Sequence, residues 1–287
     1  MSLTDIDIAI ATEKRLGWDA SKRLTLMSYI PAAMSNLAKQ VARDPSKRNL
    51  LMTDPDTVSV TLTAGVLPSS SADAATTGTA DLSTIVNTYD IMLDCLKYGT
   101  IFLQYQIPWD SGDVSTGTWP SGGFIEIQGA AGILTDALPV YMQTAGTMPS
   151  GLSEDTTYYI IANNPDYGFA TTAANAAVPT GITLVSTGSG NGTIYSFKQT
   201  LQWLQSPQQG LSTTCLPFSM PQCWLQGYDI YVKDATIWST FAKLMFCVPY
   251  VPTPENFPDD ENLREDLIDV MVGLAMTAGV EDVPPNS

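Results

Sequence analysis

The chain has 287 residues, no histidine, and 29 acids against 13 bases, for a formal net charge of −16 with 44% of residues hydrophobic. That length and apolar content fit a globular protein with one large core or two smaller ones. The lack of histidine removes Ser-His-Asp and Cys-His catalysis together with the commonest general base, and the acidic balance disfavours specific DNA binding, which rests on Lys and Arg releasing counterions from phosphates.

Charge is unevenly placed. Residues 1–50 hold eight of the bases (Lys14, Arg15, Lys22, Arg23, Lys39, Arg43, Lys47 and Arg48) against five acids, a surplus of three that leaves −19 over the rest. Such an arm suits either a solvated helix face of mixed charge or docking on an acidic protein partner. Thr4 or Asp5 caps a first helix to about Leu16, with Gly17 where helices commonly stop, and Asp19 caps a short second one. Pro31 fits the first turn of a third helix, whose Met34, Leu37, Ala38 and Val41 share one face until Asp44-Pro45 ends it.

After Asp54-Pro55, the alternation of residues 58–63 predicts a strand, and the small polar stretch Pro68–Thr79 reads as a mobile loop. Asp81 is expected to cap a long helix in which Leu82, Ile85, Val86, Tyr89, Met92, Leu93 and Leu96 form one stripe before Gly99. Thr100–Ile107 follows as a strand that should pack with it. Pro108–Gly122, rich in turn formers, reads as a junction.

Gly123–Phe197 carries the spacing of a small β sandwich or barrel. Strands are expected at Leu138–Tyr141, Thr156–Ile161, Tyr167–Thr171, Gly181–Val185 and Thr193–Phe197, with Asn163-Asn-Pro-Asp as a turn and Gly188-Ser-Gly-Asn-Gly as a tight hairpin between the last two. A second junction falls at Gln199–Gly210, within which the first domain resumes at Leu201-Gln-Trp-Leu. Strands near Gly227–Lys233 and Leu244–Tyr250 then precede a helix capped by Asp259-Asp-Glu. Leu263, Leu267, Val270, Met271 and Leu274 form its apolar stripe, and Gly279 ends it before a flexible tail, Glu281–Ser287. The fold class is therefore α+β: a helical and mixed parent domain in two parts, residues 1–122 and 199–287, with an inserted all-β sandwich or barrel-like module at 123–198.

The residues offer little chemistry. The acids Asp259, Asp260, Glu261, Glu265 and Asp266 read as capping and dipole charge more readily than as a glycosidase pair. The glycine-rich Gly188–Gly192 lacks the Lys-Ser/Thr end and following helix of a phosphate loop. Cys95, Cys215, Cys223 and Cys247 show no C-x2-C spacing for zinc. With a start, Met1-Ser-Leu-Thr-Asp, that lacks the order of an export signal, they read as free thiols in a reducing cytoplasm. No apolar run approaches the ~20 residues that span a bilayer. Trp203, Trp224 and Trp238 suit core packing or subunit contacts, with a sugar-binding face as the alternative. No catalytic residue, cofactor or metal is expected.

Two resemblances bear on function. The run Met148-Pro-Ser-Gly-Leu-Ser-Glu-Asp-Thr-Thr-Tyr-Tyr-Ile-Ile-Ala, then Tyr167-Gly-Phe-Ala-Thr-Thr and Gly181-Ile-Thr-Leu-Val-Ser-Thr-Gly-Ser-Gly-Asn-Gly-Thr-Ile-Tyr, resembles a β module repeatedly inserted in structural proteins of tailed bacteriophages. The layout around it, with Val41-Ala-Arg-Asp-Pro-Ser-Lys-Arg, Leu93-Asp-Cys-Leu-Lys-Tyr-Gly-Thr and Val248-Pro-Tyr-Val-Pro, resembles head-to-tail connector proteins of such phages. These resemblances imply a non-enzymatic virion protein made in the host cytoplasm. Its subunits would form a closed ring, commonly twelvefold, between the portal protein and the tail or next neck ring, with DNA passing through the lumen unbound and no membrane involved. The expected partner contacts are Lys39, Arg43, Lys47 and Arg48 at one end and Val280, Glu281 and Asp282 at the other. Another neck or tail-tube part, a carbohydrate-binding adhesin or tail-fibre subunit, and more distantly a carboxylate-dependent glycan hydrolase remain the alternatives.

Overall fold

The computed structural model describes residues 3–64, 77–203, 222–233 and 241–278, and the fold is α+β. In chain order the elements are α1 (Asp5–Leu16), α2 (Arg23–Arg43), β1 (Ser59–Thr61), β2 (Thr63–Ala64), β3 (Thr77–Asp81), α3 (Ser83–Tyr89), β4 (Thr100–Asp110), β5 (Val114–Ser115) and β6 (Phe124–Glu126). There follow β7 (Pro139–Thr144), β8 (Tyr158–Asn163), β9 (Asp166–Ala170), α4 (Ala173–Ala177), β10 (Asn191–Ser196), β11 (Gln199–Thr200), β12 (Gln202–Trp203), β13 (Gln222–Gln226), β14 (Asp229–Lys233), β15 (Ala242–Cys247) and α5 (Glu261–Thr277).

The chain divides into two compact units. One comprises Met1–Val58, Ser83–Thr100 and Phe246–Ser287; the other comprises Ser59–Leu82 and Ile101–Met245. These ranges differ from the expected 1–122, 123–198 and 199–287.

The first unit is built on α1, α2 and α5. Thr4 caps α1 by a reciprocal box with Asp7, and Gly17 closes it in the left-handed conformation at φ 70°. Asp19 accepts from the Ser21 amide at 2.7 Å to start a 3-10 turn, Ala20–Lys22, that runs into α2. Pro31 does not open that helix: it lies inside it, eight residues after Arg23. An interior proline costs ~3 kcal/mol, but Pro31 is exposed, and the buried stripe starts ahead of it with Leu26 and Ile30 before continuing through Met34, Leu37 and Val41. Burial on both sides of the proline holds one continuous helix. From α5, Leu263, Leu267, Met271 and Ala275 enter the same core, with Val270 and Leu274 half-buried at its edge.

The long helix expected from Asp81 is broken. Asp81 ends β3, α3 stops at Tyr89, and Asp90 adopts φ 49°, a left-handed conformation that an α-helix cannot continue through. Ile91 instead bridges Tyr250, and a 3-10 segment, Leu93–Tyr98, leads to Gly99. Leu82, Ile85, Met92 and Leu96 remain buried, whereas Tyr89 is exposed. A Cβ on Gly99 would stand 2.5 Å from the Cys247 carbonyl oxygen, so only glycine fits there. Most of the following strand, from Ile101, belongs to the other unit, not to a pair with this helix.

The second unit holds two sheets. Among the described residues the larger has ten strands in the order β1-β15-β4-β10-β7-β8-β9-β6-β5, with β11 also on β4. β4 has the period-2 signature of a half-buried strand, turning Ile101, Leu103, Tyr105, Ile107 and Trp109 inward. β4 and β5 precede residue 123 yet pair with β10 and β6, so Pro108–Gly122 is sheet and turn within the unit, not a junction. Asn163-Asn-Pro-Asp makes the expected β8–β9 turn. Gly181–Val185 forms no strand; only Leu184 bridges, to Gly117, and Ser189 bridges Thr147, so the glycine-rich loop folds against 146–147. Gly192 of β10 lies under the buried Trp109 ring, where a Cβ would approach to 2.5 Å.

The run at 58–63 divides between sheets, β1 joining the large one and β2 the small one, on either side of buried Leu62. The small sheet is β12-β13-β14-β3-β2. It includes Thr77–Thr79, expected as loop, and Gln202–Trp203, expected to resume the first domain; residues 65–76 of the expected loop lie outside the described residues.

Candidate partner-contact groove

α2 and α5 run antiparallel, with Lys47, just past α2, against Asp266 near the start of α5. Between them lies a groove of about 600 Å³, walled by Asn36, Lys39, Gln40 and Arg43 on one helix and by Asp266, Asp269, Val270, Gly273, Leu274 and Thr277 on the other. Lys39 and Arg43 fall four residues apart and so share a helix face. The wall from α5 combines acids toward its N-terminus with apolar and small residues toward its C-terminus.

The four expected basic contacts separate into two pairs. Lys47 is bound to Asp266, which raises the lysine's pKa, first through the hydrogen bond. Arg48 donates from Nε to the Ala42 carbonyl at 3.2 Å and stacks 5.7 Å from the Tyr98 ring centroid. Both are therefore engaged within their own unit. Lys39 and Arg43 make no ion pair or hydrogen bond among the described residues and face the groove. Val280, Glu281 and Asp282 lie outside the described residues, as does the expected helix stop at Gly279.

As expected of Asp259-Asp-Glu, Asp260 caps α5 by accepting from the Leu263 amide at 2.8 Å; sequence reasoning missed the ion pairs of the acids around it, beginning with Asp259 on Arg264 at 2.7 Å. Glu265 and Asp269 both accept from Arg15, at 2.7 and 2.8 Å. No local spacing signals these last pairs, because Arg15 lies on α1. The groove's own acids are thus neutralised from outside it, and the charge left open is that of Lys39 and Arg43.

The other candidates fall elsewhere. Trp224 is buried and stacked on Tyr231 at 5.5 Å, so it offers no face to a sugar; Trp203 is half-buried, and Trp238 lies outside the described residues. Cys95, Cys223 and Cys247 are free thiols, with Cys215 outside the described residues. Burial pushes the Cys223 thiol up to about 12. Among the described residues no group of three or more His, Cys, Asp or Glu side chains is placed to hold a metal ion, and no helix is long and apolar enough to cross a membrane. No protein-family profile, curated protein or solved structure matches the chain.

Proposed function

We propose that this chain is a non-enzymatic structural protein of a tailed-phage particle, a head-to-tail connector subunit that forms a closed ring between portal and tail around the DNA channel. The observation that carries the reading is the run from Met148 to Tyr195, which resembles the inserted phage module and contributes β8, β9 and most of β10 to one antiparallel sheet. In this reading residues 123–198, with the strands that pair to them, form that module on a helical parent. The acidic balance of the chain supports it, since a lumen of like charge lets DNA slide without sticking.

Function in such a ring derives from surfaces. One heterologous contact, repeated with a rotation that closes, generates the ring, and the basic helical arm supplies an inter-ring contact to the portal. The test is localisation by electron microscopy of particles carrying a tagged copy. Density in a ring below the portal is the expected result; density at fibre tips favours the adhesin, and absence from particles ends the virion assignment.

A further inference from the structure

Charge, spacing and backbone chemistry in the α2–α5 groove select one kind of occupant. We propose that the groove docks an acidic helix of a partner protein, two of whose carboxylates, one turn apart, pair with Lys39 and Arg43 while its apolar face packs on Val270 and Leu274. The connector reading says where such a partner would sit, and only that location rests on it; the binding itself does not.

Charge fixes the sign. Lys47 covers Asp266 and Arg15 covers Asp269, whereas Lys39 and Arg43 have no ion-pair partner among the described residues. In a chain of net charge −16, two uncovered bases on one helix face are a local exception. Beside them Val270 and Leu274 are half-buried at the edge of the core. Nucleic acid would meet the two bases but has no apolar side chain to cover that edge. A second copy brings the same −16 with it and is repelled at long range.

Spacing and shape select a helix. Lys39 and Arg43 stand about 6 Å apart along α2 at ~1.5 Å per residue, the rise between carboxylates at i and i+4 of a partner helix. From α5, Val270, Gly273, Leu274 and Thr277 follow the i, i+3, i+4, i+7 spacing of one face, and all four line the groove. A Cβ built on Gly273 would meet nothing within 4 Å, so a second helix can approach closely there. An extended segment is disfavoured by its own backbone. The groove walls are helices whose amides and carbonyls are spent internally, and the Thr277 hydroxyl donates to the Gly273 carbonyl. An extended occupant would bury backbone groups without partners, whereas a helix satisfies its own.

Methyl-labelled full-length protein tests this with Ala-based peptides of about 18 residues, long enough to be helical. One carries two Glu four residues apart beside a Leu face; in the others Gln or Lys replaces the Glu. The expected result at low salt is that the Glu peptide shifts the Val270 and Leu274 methyls and binds about 2- to 30-fold more tightly than the Gln peptide, the range for two exposed ion pairs. High salt narrows that gap. K39E/R43E loses the preference for Glu and gains one for Lys, and unchanged Leu263 and Leu267 methyl shifts establish that the variant is folded. Equal binding of the Glu and Gln peptides, or no shift of those methyls at about 1 mM Glu peptide, overturns the proposal. Displacement of the Glu peptide by an equal concentration of a short DNA duplex overturns it by assigning the bases to phosphate. Movement of the same methyls with protein concentration alone overturns it by assigning the groove to a second copy.

Discussion

Arg23 donates from Nε and Nη2 to the two carboxylate oxygens of Glu13, at 2.8 and 2.9 Å, and so clamps the start of α2 to the last turn of α1. The Glu13 side chain is only 7% exposed, whereas Glu265 and Asp269, the two partners of Arg15, are 56% and 60% exposed. Breaking a pair costs most when it strands a buried charge. Arg23→Met should therefore lower the thermal midpoint more than Arg15→Met, although Arg15 has more partners. Adding Glu13→Gln to Arg23→Met should recover part of the loss. Equal midpoints for the two single variants would show that Glu13 is solvated in solution.

Leu267 is 1% exposed in the core shared by α1, α2 and α5. Leu267→Ala should cost about 2–5 kcal/mol in chemical unfolding. Met276, 70% exposed on the same helix, serves as the control, and Met276→Ala should stay within about 0.5 kcal/mol.

Gly192→Ala probes the other unit. The added Cβ meets the Trp109 ring at 2.5 Å and the Gln143 carbonyl oxygen at 2.7 Å. Because ring and backbone both resist displacement, destabilisation of about 1–3 kcal/mol is expected, with reduced near-ultraviolet tryptophan signal as a second readout.

Acid sensitivity follows from Asp44. The Ser46 hydroxyl and amide donate to its carboxylate at 2.7 and 2.9 Å, holding its pKa below the usual aspartate value, with the hydroxyl bond the larger cause. A carboxyl depressed in the folded state contributes stability that is present above its unfolded value, about 3.9, and is lost as pH falls through the folded value. Asp44→Asn should thus lower the urea midpoint at neutral pH, and the difference from wild type should shrink steadily below about pH 4. A constant difference across that window would show that the loss is not tied to the charge.

Thiol labelling separates the cysteines. Cys223 is fully buried with its thiol pushed up to about 12, whereas Cys247 is partly exposed, although burial and then Asp54 raise its thiol too. In native protein at pH 8, iodoacetamide should modify Cys247 ahead of Cys223, as read by peptide mass spectrometry, because access and thiolate fraction both favour it.

The elements legible in the sequence are those whose signals are local. Thr4, Asp7 and Gly17 delimit α1 by caps, and Leu263, Leu267 and Met271 declare the inner face of α5 by spacing. The break at Asp90 was hidden because the apolar spacing on either side is helical, and the competing bridge from Ile91 goes to Tyr250, far along the chain. The sheet boundaries were hidden for the same reason: β4 and β5 resemble a strand and a turn-rich junction until β10 and β6 pair with them. In the groove, the shared face of Lys39 and Arg43 follows from their spacing. The engagement of Lys47 by Asp266, 219 residues away, does not.

The order in which the chain contributes to its two units has a consequence for synthesis. α1 and α2 leave the ribosome early, yet α5, which shares one core with Leu26, Ile30, Met34 and Leu37, is made only after the whole second unit. At ~5–20 residues per second, that interval is on the order of ten to forty seconds. Throughout it the nascent α1–α2 pair lacks the α5 side of its core, and on a polysome the same uncovered apolar surface is displayed by neighbouring chains. Yield should therefore respond to holdase chaperones and to the rate of translation across β1–β15, even where the finished protein is stable.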